Sequence, residues 1–227
     1  MNPDLQGSQT LSANEALVAG VAARARNLYL TRQMLCAEAV VVSLNQAFHG
    51  GLSDTQAMAL AAPFCAALGE SGCLCGALSG AVMATGLLLG REGADRHRGA
   101  MRESARRLHD TFKGVNGATC CRVLCDSVKH DPQAHFRQCA ELTAGAAESA
   151  ARLVIEQRPD LDIGQAILDL QPRLLAAGID DHLGHQRVAR VDRRTGQQEV
   201  ERAAQAVNVR SRVRRLPVSL LRAHVVG

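Results

Sequence analysis

The sequence predicts an all-α protein, a compact bundle of six or seven helices with an Arg-rich, loosely attached C-terminal tail. Three observations carry this expectation. Aromatic residues make up only 2% of the 227-residue chain, Tyr29 with Phe48, Phe64, Phe112 and Phe136 and no tryptophan. A β-sandwich or barrel core needs more aromatic and β-branched filling. No stretch alternates apolar and polar residues long enough to compete as a sheet. Helix start and stop signals, by contrast, recur along the chain. The hydrophobic share of 47% and charged share of 21% are those of a globular protein and exclude wholesale disorder or low-complexity sequence.

The elements follow in order. Ser12-Ala-Asn-Glu15 reads as a capping box, in which the serine oxygen accepts from the third backbone amide and the glutamate reaches back. Leu17, Val21 and Leu28 then recur at helical spacing to about Arg32. A second run, Cys36 to Phe48, stops at Gly50-Gly51, suited to a left-handed cap. Ser53-Asp-Thr-Gln56 is another capping box, opening a helix expected to run through Leu60 and Phe64 to about Leu68, with Gly69 and Gly72 as breakers. Cys73 to Leu89 follows, closed by Gly90 and Gly93. Asp95 to Phe112 reads as a charged amphipathic helix with Met101, Ala105, Leu108 and Phe112 on one face. A short element carries Cys120 to Val128. Asp131-Pro132 is a cap followed by a first helical residue, launching a helix to about Glu156. Asp162 to Ala177 completes the set, interrupted at Pro172.

This punctuation divides the chain into a cysteine-rich helical domain (1–156), an additional helix (157–180) and an Arg-rich tail (181–227). The tail holds ten arginines against four acidic residues, and the formal charge of +4 for the whole chain belongs to it. Its basic residues, Arg187, Arg190, Arg193, Arg194 and the run from Arg210 to Arg215, could neutralise a phosphate backbone. No aromatic stacking platform exists after Phe136, so no nucleic-acid partner is expected and a solvated or disordered tail is. Glu70 and Arg91 bracket about twenty uncharged positions, the length of a membrane span. Gly72, Gly76 and Gly80 even match the spacing of helix pairs in lipid. The segment is poor in large apolar side chains and lacks an aromatic belt, which favours a buried helix over a span.

All eight cysteines fall between Cys36 and Cys139. Met1 to Asn14 shows no basic cluster followed by an apolar run, so the expectation is a cytoplasmic, reducing setting. There, clustered cysteines bind metal, carry a cluster or cycle between redox states more often than they form a permanent disulfide framework. Burial as small hydrophobes accounts well for one or two of them, Cys65 first. Gly-x-x-x-x-Gly-Lys, Gly-x-Ser-x-Gly and His-Glu-x-x-His are all absent, as is Cys-x-x-Cys-His. Phosphate-loop, serine-hydrolase, zincin and covalent-haem readings therefore lack support. With only Lys113 and Lys129 in the chain, amine chemistry has few candidates.

The cysteine neighbourhoods are Cys36-Ala-Glu-Ala-Val, Gly72-Cys-Leu-Cys75-Gly-Ala-Leu-Ser-Gly80, Thr119-Cys-Cys121-Arg and Cys139-Ala-Glu-Leu. They resemble the family named for its pattern C-GCAxxG-C-C, described as redox-active proteins, over roughly residues 20 to 156. On that resemblance Cys36, Cys75, Cys121 and Cys139 are its four cysteines, Gly76 and Ala77 follow the second, and Gly80 is the spaced glycine. The chain is also similar to the non-haem part of split-Soret cytochromes, which implies an iron–sulfur cluster on the corresponding cysteines. It departs from the pattern in two ways. The glycine-rich approach to the second cysteine is replaced by Phe64-Cys-Ala-Ala-Leu-Gly-Glu, and four further thiols appear, Cys65, Cys73, Cys120 and Cys125.

Independently of the resemblance, Cys36, Cys75 and Cys139 are expected at or near helix starts and Cys121 in the short element between two helices. Helix N-termini favour thiolate over thiol, and thiolate is the form that attacks disulfides and binds metal. Four such sulfurs from separate elements can converge at one end of a bundle, where an all-sulfur site suits an iron–sulfur cluster or Zn. Gly76 and Gly80 would let the backbone close around them, although tight helix packing also uses such glycines. Cys73 and Cys125 are second-rank ligands, and of the adjacent Cys120 and Cys121 only one is expected at the site. An alternative zinc set combines Cys121, Cys125 and Cys139 with His130 or His135, and His182-x-x-His185 is a weaker pair.

The leading expectation is a redox protein with Cys36, Cys75, Cys121 and Cys139 around an iron–sulfur cluster used for electron transfer or sensing. The competing readings are metal-free thiol–disulfide exchange through the same thiolates, a non-catalytic Zn or Cu(I) protein, and a membrane-associated partner of a transporter. The electron donor or acceptor is not specified by the residues, a homo-oligomer is compatible with them, and nothing in them indicates catalytic turnover. Glu38, Glu141 and Arg122 flank the cysteines and could tune their acidity, or serve as ordinary surface charges.

Overall fold

Helix α2 (Cys36–Ala47) is rich in Ala, Val and Leu, and all its residues from Ala37 to Ala47 except Glu38 are buried. A helix of that composition has to sit at the centre of a bundle. The computed structural model describes residues 3–90 and 94–175, and side chains within 13–90, 99–173. All of these belong to the first of two units, Met1–Asp181 and His182–Gly227, into which the chain divides. The Arg-rich tail and the His182–His185 pair therefore lie outside the described residues. Among the described residues there is no strand. The helices around α2 are α1 (Pro3–Leu30), α3 (Asp54–Ala61), α4 (Cys65–Glu70), α5 (Gly76–Leu89), α6 (Ala94–Asn116), α7 (Cys121–Leu124), α8 (Pro132–Gln157) and α9 (Ile163–Leu175). Helices α4 and α7 are single turns; the other seven form the bundle.

Small residues set the packing around the central helix. Helix α5 lies alongside α2 in the same direction. A Cβ on Gly80 would come within 2.8 Å of the Ala37 carbonyl oxygen and 3.1 Å of the Val40 Cβ. Only glycine admits that approach, and it brings the N-termini of α2 and α5 together. Helix α8 offers an alanine stripe, Ala140, Ala147, Ala150 and Ala151, buried with Val154. Helix α1 buries Leu17, Val21 and Leu28 and runs antiparallel to α8, with Arg152 bidentate to Glu15 at 2.6 and 2.8 Å and Arg26 paired with Glu141. The charged α6 turns Leu108 and Phe112 inward and joins α8 through Arg107–Glu156. These exposed ion pairs orient the helices more than they stabilise them.

Several boundaries differ from the sequence expectation. Helix α1 begins at Pro3, not at the Ser12 box. Proline is preorganised for a first helical position, and nothing stops the helix between there and Ser12. The Ser53 cap is present, its hydroxyl accepting from Gln56 N–H at 3.2 Å, but α3 ends at Ala61 instead of Leu68. Pro63 supplies no N–H, a 3-10 turn spans Ala62–Phe64, and the backbone then takes positive φ at every residue from Ala66 to Glu70. Ala66, Ala67, Leu68 and Gly69 lie in the left-handed helical region throughout. Helix α5 starts at Gly76, not Cys73, because Cys73 is bonded to Cys120 and the Cys75 N–H donates to the Thr119 carbonyl at 2.8 Å. Helix α8 opens at Pro132 as expected, with Asp131 accepting from the amides of Gln133 and Ala134. Among the described residues no helix is long and apolar enough to cross a membrane.

Candidate functional site

The chain places three sulfur pairs side by side, each built by a different local device. The first sits at the start of α2. Leu35 caps the helix, its N–H donating to Glu38 Oε2 at 2.8 Å, and Cys36 is the first helical residue. Its sulfur accepts the backbone N–H groups of Ala66 and Ala37 and shares the Cys65 thiol proton with the Ala61 carbonyl oxygen, which lies 3.8 Å from the Cys65 sulfur. The left-handed turn after Phe64 is what aims the Ala66 amide there. Those donors hold the Cys36 thiol below the usual range, the Cys65 hydrogen bond foremost, while Cys65 itself is pushed up by giving that bond and by burial.

The second pair belongs to the start of α5. Cys75 occupies the N-cap position and is 3% exposed, and Cys121 opens the short α7. The Cys75 thiol and the Gly76 amide both donate to the Cys121 sulfur, and the thiol's bond, the larger effect, lowers Cys121 to about 7. Cys75 moves upward, first because its proton is held in that bond and then because it is buried. The segments carrying the two are tied together by hydrogen bonds from Cys75 N–H to Thr119 O (2.8 Å) and Arg122 N–H to Gly72 O (3.1 Å). The Cys73–Cys120 disulfide lies between these bonds.

Cys125 and Cys139 form the third pair, hydrogen-bonded to each other, with the Tyr29 hydroxyl donating to Cys139. Burial, followed by the neighbouring Cys125, pushes Cys139 up to about 12. Burial also raises Cys125 and Tyr29, the latter with help from the negative charge available on Cys139. The Tyr29 ring stacks on Phe136 at 5.1 Å, and the Arg32 guanidinium lies 5.0 Å from the centre of the same Phe136 ring. His135 stands one helical turn before Cys139, and a ring nitrogen of His135 and the sulfurs of Cys125 and Cys139 all lie within 4.8 Å of one another.

The three pairs are electrostatically one group. Cys121 acts on Cys36, Cys125 and Cys139, so it is the centre of the set. A Cβ on Gly76 would stand 2.5 Å from the Cys36 sulfur and 2.8 Å from the Phe64 carbonyl oxygen. The absence of a side chain there is what lets the Cys36 and Cys75 ends of the site meet. What moves these thiols is hydrogen bonding, burial and one another. Cys36 and Cys121 give up their protons readily while Cys65, Cys75, Cys125 and Cys139 hold theirs, and a thiophilic cation can replace several of those protons at once.

Cys36, Cys75, Cys121 and Cys139 are thus brought into one group. Cys139 sits two turns inside α8 and not at a helix start, so no N-terminal amide reaches it and burial governs its acidity. Cys73, a second-rank ligand candidate, is disulfide-bonded with Cys120 and offers no thiolate in that form. Cys125 is in the group. Cys65, assigned to the core by sequence, is buried and also bonded to Cys36. Nothing in the sequence flagged Cys65 or Tyr29, because the turn and the helix crossing that deliver them are tertiary. The four-residue spacings Cys121–Cys125 and His135–Cys139 were the visible signal for the other two. His130, the alternative to His135, is not among the three clustered ligands.

Comparison with curated proteins and with solved structures finds no match. Residues 34–153, more than half of the chain and the whole of the cysteine group except its Tyr29 contact, match the family described as "Putative redox-active protein (C_GCAxxG_C_C)", and the chain belongs to that family.

Proposed function

We propose that this is a cytoplasmic redox protein in which Cys36, Cys75, Cys121 and Cys139 hold an iron–sulfur cluster for electron transfer or sensing. What supports the reading is that Cys121 acts electrostatically on Cys36, Cys75 and Cys139, near the adjoining N-termini of α2 and α5. The donor set fits such a group: free thiols from four separate elements, backbone N–H groups of Ala37, Ala66 and Gly76 directed at sulfur, and a glycine where a side chain would intrude. When bound, the cluster supplies one-electron chemistry whose potential depends on hydrogen bonds to sulfur and on solvent exposure. The protein's part is to deprotonate and orient the thiols, to direct those amides at them, and to keep the Cys75 side of the group dry. Anaerobic purification tests this. Brown protein with stoichiometric iron and acid-labile sulfide, lost in Cys75→Ser, supports the reading; colourless wild-type protein without iron refutes it.

One observation favours a second reading. The Cys75–Cys121 pair has one sulfur lowered to about 7 and a protonated partner in hydrogen-bond contact, which is the arrangement of a dithiol poised for exchange. Metal-free thiol–disulfide exchange therefore replaces the cluster reading if the protein is colourless and two thiols titrate together with redox potential.

A further inference from the structure

Beside the proposed four-cysteine set, and overlapping it only at Cys139, lies a second ligand group formed by Cys125, His135 and Cys139. We infer that these three residues form a separate mononuclear site for a borderline-soft divalent cation of the zinc type, filled when the cluster is absent. The inference shares only Cys139 with the proposed cluster set and otherwise stands apart from it. One imidazole nitrogen and two sulfurs lie within 4.8 Å of one another, so small rotamer adjustments bring them onto a common ion. Zinc takes sulfur at about 2.3 Å and imidazole nitrogen at about 2.0–2.1 Å. His135 and Cys139 are four residues apart on α8 and project from the same face, while Cys125 comes from the end of α7.

The surroundings match what a metal site needs beyond its ligands. The Tyr29 hydroxyl donates to the Cys139 sulfur and orients it, the kind of outer contact that positions ligands and stabilises a thiolate. His135 is exposed and Cys139 only half-buried, so the group has an edge on solvent, and His135 also lines a cavity of about 420 Å³ with Tyr29, Arg32, Glu38 and Phe136. Two thiolates and an imidazole discriminate against magnesium and calcium, which prefer oxygen. Three protein ligands leave the fourth tetrahedral position to water.

Cobalt(II), a spectroscopic stand-in for zinc, tests the site on the metal-free full-length chain under anaerobic conditions. One equivalent should give sulfur-to-cobalt charge-transfer absorption with tetrahedral ligand-field bands, and one equivalent of Zn²⁺ should bleach both. His135→Ala and Cys125→Ser should each weaken cobalt binding by about tenfold or more, whereas Cys36→Ser should leave the spectrum in place. Full-strength binding in His135→Ala, or loss of the spectrum in Cys36→Ser, overturns the inference, the latter locating the ion among the four family cysteines. Iron and sulfide analysis of the same variants reads the cluster separately, so a chain that binds cobalt but no cluster removes only the reading under Proposed function.

Discussion

Replacing Ala66 by glycine should stabilise this protein, although the same replacement at most exposed helical alanines destabilises. Ala66 is exposed and has φ 50°, ψ 37°, inside a run of positive φ that continues to Glu70. The left-handed conformation costs an L-residue roughly 1–2 kcal/mol, because Cβ crowds the following carbonyl oxygen. Glycine removes that cost but loosens the unfolded chain, giving back about 0.4–1 kcal/mol. The net for Ala66→Gly is a gain of about 0.5–1 kcal/mol, and Tm rises about 2–4 °C per kcal/mol in a chain of this size. Ala59, exposed in the right-handed α3, provides the opposite case, and Ala59→Gly should lose about 1 kcal/mol. Urea denaturation of the two variants, with unchanged m-values, should therefore separate them by about 1.5–2 kcal/mol with opposite signs. Two equal losses would refute the argument that the turn presenting its amide to Cys36 is left-handed.

Gly80→Ala should destabilise by about 1–3 kcal/mol in thermal unfolding, since its methyl would meet the Ala37 carbonyl oxygen at 2.8 Å and overpacked cores give way at that cost. In metal-free protein, alkylation at Cys121, read by mass spectrometry, should rise through a midpoint near pH 7. Only thiolate reacts, so at pH 6 about one-tenth of Cys121 is reactive and at pH 8 about nine-tenths; removing the Cys75 hydrogen bond with Cys75→Ala should move the midpoint upward. Because Cys139 is common to the proposed cluster and zinc sets, preloading with one equivalent of Zn²⁺ should suppress cluster assembly in the wild type and spare it in His135→Ala, measured as acid-labile sulfide.

The helical class and most of the helices were legible because their signals are local. Ser53 with Gln56 satisfies amides within one turn, as does Asp131 for Gln133 and Ala134, and the apolar spacing of Leu17, Val21 and Leu28 reports a buried stripe wherever the helix docks. Boundaries failed where a distant partner intervened. Cys73 reads as the start of a helix until its bond to Cys120 and the Cys75–Thr119 hydrogen bond keep the segment out of the helix. Leu68 reads as the end of α3 until Pro63 and the left-handed turn redirect the chain. The same contrast holds among the cysteines: Cys36, Cys75, Cys121 and Cys139 stand out by their resemblance to the family pattern, but no local signal marks Cys65 or Tyr29 as their neighbours.

From the amino-acid sequence alone came the all-α class, the cysteine inventory, the resemblance of four of those cysteines to a redox family, and the glycines that allow close approach. Spacing and residue type are enough for these, since each depends on neighbours along the chain. Only the folded chain determined which sulfurs share a proton, which two are joined, and that Cys36 and Cys121 rather than Cys75 and Cys139 are the acidic members. Those properties depend on amides of Ala66 and Gly76, and on burial, supplied by elements distant in sequence. Hydrogen bonding and desolvation act through space over a few ångströms, and no linear pattern records them.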